Sequence, residues 1–282
     1  MTKADEYMRN DIVNIFQNGY KDVNPRPKYE DGTPAHTISV NHVMRKYDLS
    51  KGEFPILTLR PIAWKTGIKE IFTIYQKPTN VISEMEEIGV KWWSPWDIGN
   101  GTIGQRYGAT VKRYDLINNL IKDIQNDPYG RRKIMSLWQE TDLKETDGLA
   151  PCAFLTIWNV RHDWDGKDYL DMTMVQRSSD FATAGCINQV QYMVLLLLFA
   201  RHLDLTPGKF TWKPVNVQIY DRHMDQVKEM LGRDSVECAP YIELNPDKKD
   251  FYDFTPADIQ IKEYPYQKIK TINPQLPFPL GI

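Results

Sequence analysis

Apolar positions recur at helical spacing from Ala4 to Asn18, where Tyr7, Ile12, Val13, Ile15 and Phe16 predict an opening amphipathic helix. A proline- and glycine-punctuated loop, NPRPKYEDGTPAHT, then leads into a predicted strand over TISVNHVMRKYDL. FPILTLR reads as a further strand. In PIAWKTGIKEIFTIYQ, residues Ile62, Lys65, Ile68, Lys69, Phe72 and Tyr75 repeat at helical spacing, with Pro61 at the first helical position. Leu116 to Gln125 predicts another amphipathic helix, ended by a turn built on Asp127, Pro128 and Gly130.

Ala150 to Val160 and Tyr169 to Gln176 read as strands joined through RHDWDGKD into a hairpin. Asn188 to Arg201 is apolar nearly all round, the pattern of a helix buried at the centre of a domain. PGKFTWKPVNVQIYDRH predicts two strands around Pro214, and HMDQVKEML a short helix; the tail from Pro246 is rich in proline and aromatics and ends in PLGI. Strands and helices mix without regular β-α alternation, which predicts an α+β fold with a mixed sheet covered by helices. No linker divides the chain, so residues 1–282 are expected to form one domain.

Composition narrows the function. At 282 residues, 41% hydrophobic and 12% aromatic, the chain can bury a large core. A formal charge of -2 supplies no global basic field, so nucleic acid is not an expected partner and any anion must be held by local arginines. MTKADEYMRN lacks the apolar core of a signal peptide, and the longest apolar run, Tyr192 to Ala200, is too short to span a bilayer; a soluble, cytoplasmic protein is expected. Cys152, Cys186 and Cys238 are few, odd in number and not in metal spacing, which predicts reduced thiols and no metal site.

Chemistry concentrates between Leu149 and Asn188. Cys152 follows a proline and opens an apolar strand; a buried inert thiol is the commonest fate of such a residue, but neighbouring guanidiniums would lower its pKa and make it a nucleophile. Arg177, Ser178, Ser179 and Asp180 form a polar run, and the Asn188 carboxamide could read a flat polar ring. Arg26 and the pair Arg131 and Arg132 are solvated charges by default and phosphate ligands by chemistry. Glu70, flanked by Ile68, Ile71 and Phe72, could be desolvated into an acid/base group. The tryptophans of WWSPWD either pack the core or wall a flat ligand.

DGTPAHTISV, the RR pair before a strand, LAPC, QRSSD with Asn188 eight residues after Asp180, and QIY in NVQIYDRH occur in the order that resembles the thymidylate synthase family, from about Tyr20 to the C-terminus. The resemblance implies a homodimer that methylates dUMP at C5, with 5,10-methylenetetrahydrofolate as carbon donor and reductant. It further implies that Cys152 adds to C6 of the uracil ring, with Glu70 and Tyr107 handling protons. Arg26, Arg177 and Ser178 would bind the phosphate, joined by Arg131 and Arg132 lent by the second subunit. Asn188 would read the uracil edge, and Gln218 and Tyr220 the deoxyribose. Arg60, Trp93, Trp96, Leu149, Asp180 and the terminal Ile282 would face the folate.

The sequence departs from that family's usual pattern at several points. Ala153 stands where a histidine usually follows the nucleophile, Asn216 and Gln218 replace the aspartate and histidine of D-x-H-x-Y, and Ala184 and Cys186 lie in the loop TAGCIN. A pyrimidine nucleotide hydroxymethylase on the same scaffold, and a catalytically silent nucleotide-binding homologue, are the alternative readings.

Overall fold

The computed structural model describes residues 1–281; the Ile282 expectation lies outside the described residues. Helix α1 (Lys3–Asn18) starts where the Thr2 hydroxyl accepts the Asp5 N–H, with Asp5 and Glu6 favouring the positive end of the helix. After β1 (Tyr20–Lys21) and the proline-rich loop, the single strand expected over TISVNHVMRKYDL is two, β2 (Thr37–Asn41) and β3 (Arg45–Asp48), broken where His42 takes a positive φ.

FPILTLR is not a strand. Its backbone groups are satisfied by side chains instead: Asp5 accepts the Thr58 N–H at 2.7 Å, while Tyr264, Asn273 and Arg233 donate to the carbonyls of Leu57, Thr58 and Leu59. With those groups occupied, Pro55 inside the run and Pro61 directly after it, no ladder forms. Pro61 also precedes its helix rather than opening it, since α2 (Trp64–Ile71) begins three residues later and runs on as a wide turn from Phe72 to Gln76.

Short helices follow, α3 (Ile82–Glu87), α4 (Gly108–Arg113) and α5 (Leu116–Asn126), then β4 (Lys133–Ser136) and α6 (Glu140–Glu145). The hairpin forms as expected from β5 (Ala153–His162) and β6 (Asp168–Asp180). A wide turn over Phe181–Gly185 leads into α7 (Cys186–Leu203). Counted together, turn and helix make 23 residues, long and apolar enough by length and composition to cross a membrane; 72% of the most apolar window is buried inside the chain, as in a core helix.

The two strands expected around Pro214 are one, β7 (Thr206–Tyr220). Its antiparallel partners change there, β3 pairing up to Trp212 and β2 from Asn216, so Pro214 falls in the gap between them. The chain closes with α8 (Met224–Gly232), a small hairpin of β8 (Tyr241–Leu244) and β9 (Ile259–Lys262), and α9 (Tyr266–Ile272).

The main sheet runs β1-β2-β7-β6-β5-β4, with β3 also on β7; β6 and β7 are parallel and the other pairs antiparallel. The expected α+β class, a mixed sheet covered by helices, is what forms. Helix α7 packs along the sheet with α2 beside it, and Gly67 permits the approach: a Cβ there would lie 2.6 Å from Ile187 and 3.2 Å from Gln191.

Candidate active site

The hairpin sets Cys152 beside Arg177. The Arg177 backbone N–H donates to the Cys152 carbonyl at 2.9 Å, and its Nη2 lies 3.4 Å from Sγ. The same guanidinium donates to the carbonyls of Pro151 at 3.0 Å and Ala150 at 2.7 Å, so part of its donor set is committed to holding the loop. Burial pushes the Cys152 thiol up, and Arg177 and Arg26 pull it down without overcoming the burial. Within the single chain, desolvation outweighs these two guanidiniums. Tyr107 accepts the Cys152 N–H at 3.2 Å from a backbone held at φ 48°, a strained conformation for a tyrosine.

A cleft of about 280 Å³ opens at the C-terminal ends of β6 and β7, where Ser178 follows Arg177 along the strand. Ser178, Gln218, Tyr220, Thr37 and Ser39 line it, with Pro25 and Pro27 at its mouth. Arg26 stands exposed between those prolines, and no side-chain bond from it is present among the described residues. Ser178 and Gln218 lie 3.5 Å apart, as do Gln218 and Tyr220, and burial pushes the Tyr220 phenol up to about 12. Arg131 and Arg132 are exposed just before β4, again with no side-chain bond among the described residues.

A run of hydrogen bonds linking β7, β6, α7 and α2 joins the other expected residues. Trp212 Nε1 donates to Gln176 Oε1 at 2.9 Å, Gln176 Nε2 to Asn188 Oδ1 at 3.1 Å, and Asn188 Nδ2 to Gln191 Oε1 at 2.8 Å. Gln191 Nε2 then donates to Glu70 Oε2, and Trp92 and Trp93 both donate their ring N–H to Oε1. Glu70 is 7% exposed; burial raises its pKa, opposed by these three donors. Trp93 packs edge-on against Trp96 and Tyr107, the packing reading of the cluster, while its ring N–H serves Glu70.

Asp180 ends β6. Its Oδ2 accepts from Thr183, but Oδ1 is buried without a partner, 3.9 Å from His223 Nδ1, which is likewise unpartnered; burial raises the carboxyl's pKa, opposed first by His223. Arg60 is 3% exposed and its donors go to the carbonyls of Pro61, Ala182 and Thr183, while its guanidinium lies 5.3 Å from the Phe278 ring. Leu149 is half-buried and packs against the core ahead of Cys152.

The thymidylate synthase family model matches residues 6–275. A thymidylate synthase of Lactococcus lactis subsp. cremoris (strain SK11) is 45% identical over 284 residues, covering 100% of both chains. The chain belongs to the thymidylate synthase family. A Streptococcus pneumoniae (strain 70585) thymidylate synthase is 44% identical over 285 residues, again covering 100% of each. Among solved structures, the thermostable thymidylate synthase A from Bacillus subtilis superposes with a TM-score of 0.89 at 32% identity, covering 99% of each chain.

Within this thymidylate synthase fold the departures have plain local accounts. Ala153 is buried and its carbonyl accepts from Tyr192 at 3.1 Å, while Cys186, also buried, sits against the carbonyls of Phe181 and Ala182. Gln176 and Gln191 in the hydrogen-bonded run, and His223 facing Asp180, are the side chains that sequence reading passed over. A signal was present for Gln191: a glutamine one helical turn after Asn188, inside an otherwise apolar run, needs a buried partner.

Proposed function

We propose that the chain converts dUMP to dTMP by reductive C5 methylation, with Cys152 as nucleophile, in a single catalytic domain spanning 1–282. Family membership makes it a methyltransferase of dTMP synthesis. The observation that carries the residue assignment is a nucleophile beside a guanidinium, Cys152 and Arg177, together with a carboxamide bonded through Gln191 to a buried acid, Asn188 and Glu70.

Arg26, Arg177 and Ser178 bind the phosphate, and Gln218 and Tyr220 the sugar, whose hydroxyls match donors and acceptors on the cleft wall. Cys152 adds to C6 once its proton leaves, a step that the added charge of Arg26 and Arg177 favours. Asn188 accepts the ring N3–H and donates to O4, while Glu70 and Tyr107 move protons at the ring.

The folate side passes a test of fit: Asp180 Oδ1 is a buried acceptor without a donor, and Trp93, Trp96 and Leu149 offer flat and apolar surface. Bound there, 5,10-methylenetetrahydrofolate supplies the one-carbon unit and the hydride. Asp180 would orient the pterin, Trp93 and Trp96 would exclude water from the ring, and Arg60 braces the turn over Ala182 and Thr183.

A homodimer completes the site. Ile134, Ile157, Thr173 and Thr211 form a row across the sheet on the face away from α7, and Ile134 and Ile157 are 55% and 38% exposed. Pairing two such faces would bury the row and let Arg131 and Arg132 of one protomer reach the phosphate held by the other. Incubation with dUMP and methylenetetrahydrofolate should raise dihydrofolate absorbance; hydroxymethylated product without dihydrofolate would overturn the reading. Cys152→Ala should abolish turnover, and Ile157→Glu should give monomers by sedimentation together with loss of activity.

A further inference from the structure

The hydrogen bonds on the α7 wall have a fixed direction. A tryptophan ring N–H can only donate, so Trp212 requires Gln176 to present its oxygen there. That turns Gln176 Nε2 toward Asn188, which must then present Oδ1 to it and Nδ2 to the next residue. At the far end the Gly67 carbonyl accepts from Gln191 Nε2 at 3.0 Å, and Glu70 accepts from the same nitrogen. Gln191 is the link: it is 1% exposed, and all its bonds in this run are made with its nitrogen toward α2 and its oxygen toward Asn188.

We propose that Gln191 is a positioning residue, which fixes the way the Asn188 carboxamide faces, and hence the choice of base, and holds Glu70 as a proton acceptor. The inference rests on the reading of Asn188 and Glu70 given above. With its orientation set, Asn188 has one lone pair and one N–H left for a ligand. That edge matches uracil, which offers a donor at N3 and an acceptor at O4. Cytosine reverses both groups, so it requires the carboxamide to turn. Turning Asn188 sets two donors face to face at Gln176, and turning Gln176 in response sets two more face to face at Trp212.

The same geometry governs Glu70. Both its oxygens receive N–H groups, so a proton arriving on the carboxyl finds no acceptor in Gln191, whose oxygen cannot swing round without meeting the Gly67 carbonyl. The proton must point away from Gln191. The titratable groups packed near Glu70 are Tyr75 and Tyr107, and Tyr192 on α7; burial pushes all three phenols upward, so they stay neutral through the working range. Cys152 lies beyond Tyr107 and Tyr192 and interacts with both.

Two substitutions in the full-length enzyme separate the functions. Gln191→Met keeps the volume and removes every hydrogen bond. It should narrow the preference for dUMP over dCMP about tenfold, measured as the KM of dUMP against the inhibition constant of dCMP. It should also move the acid limb of the kcat profile upward by about one pH unit, since a donor that favours the carboxylate is gone. Gln191→Glu still accepts from Asn188 but opposes Glu70 with a like charge, so base preference should hold while the acid limb rises further. A packing role alone would lower kcat equally at every pH and leave the base preference unmoved, and that result overturns the proposal. Should Gln191→Met fail to fold, an unmoved acid limb in Gln191→Glu is sufficient to overturn it. A wild-type enzyme inert on dUMP would instead sink the underlying reading, whatever the variants do.

Discussion

Glu70 and Asp180 are both buried carboxyl groups with pKa values raised by desolvation, yet their surroundings differ. Glu70 receives three N–H donors and has its bonding nearly complete before any ligand arrives. Asp180 receives a bond on one oxygen, while the other faces an equally unpartnered histidine nitrogen across 3.9 Å. Rigid elements, α2 and α7, carry the first group; a strand end and a wide turn next to the chain's tail carry the second. A satisfied carboxyl is preorganised for the chemical step, whereas one left half-satisfied gains from a ligand that brings donors.

The largest break in this comparison should come from Glu70→Gln, which sets an amide against three N–H groups. The kcat should fall by about 10²–10³-fold and the acid limb of its pH profile should vanish, read by steady-state kinetics. Asp180→Asn should act on the other side, raising the folate KM about tenfold with a smaller change in kcat, because the loss is one ligand hydrogen bond.

Stability separates the pair further. Because the folded-state pKa of Asp180 lies above the ordinary 3.8, the fold favours its neutral form, and the wild type should lose stability as pH rises from that value through the raised one. Asp180→Asn should flatten that slope in urea titrations at successive pH values, so the variant gains relative to wild type toward neutral pH. The smallest effect is expected from Cys186→Ala, a buried thiol against the turn after Asp180 that makes no hydrogen bond to either carboxyl: about 1 kcal/mol of stability in urea titration, with kcat unchanged.

Much of this was legible in the chain because periodicity reports burial. Helix α7 and the β5–β6 hairpin followed from apolar runs and turn residues, and Glu70 from its apolar flanks. FPILTLR misled because an apolar, β-prone run forms a strand only when its backbone groups have no other partners, and those partners, Asp5, Arg233 and Asn273, are remote in sequence. Pro214 misled in the opposite sense: its tolerance inside β7 depends on where β3 stops and β2 begins. Cys152 stood out as the candidate nucleophile from its place among the ordered motifs. Its raised pKa was not legible, since burial depth is a property of the assembled chain. The direction of the amide run was hidden for the same reason: Trp212, Gln176 and Gln191 acquire it only in contact.

The parallel pairing of β6 with β7 has a kinetic consequence. β5 and β6 are joined by a tight turn and can zip locally, but β7 reaches β6 only after the whole of α7 has crossed over, a closure that costs chain entropy before any ladder bond returns it. The strand pair that seats Cys152 should therefore assemble before the strand that contributes Gln218 and Tyr220. In pulse-labelled hydrogen exchange during refolding, amides of β5 and β6 should gain protection ahead of those of β7. The ledge under Cys152 would then exist, for a time, with no Gln218 and Tyr220 beside it.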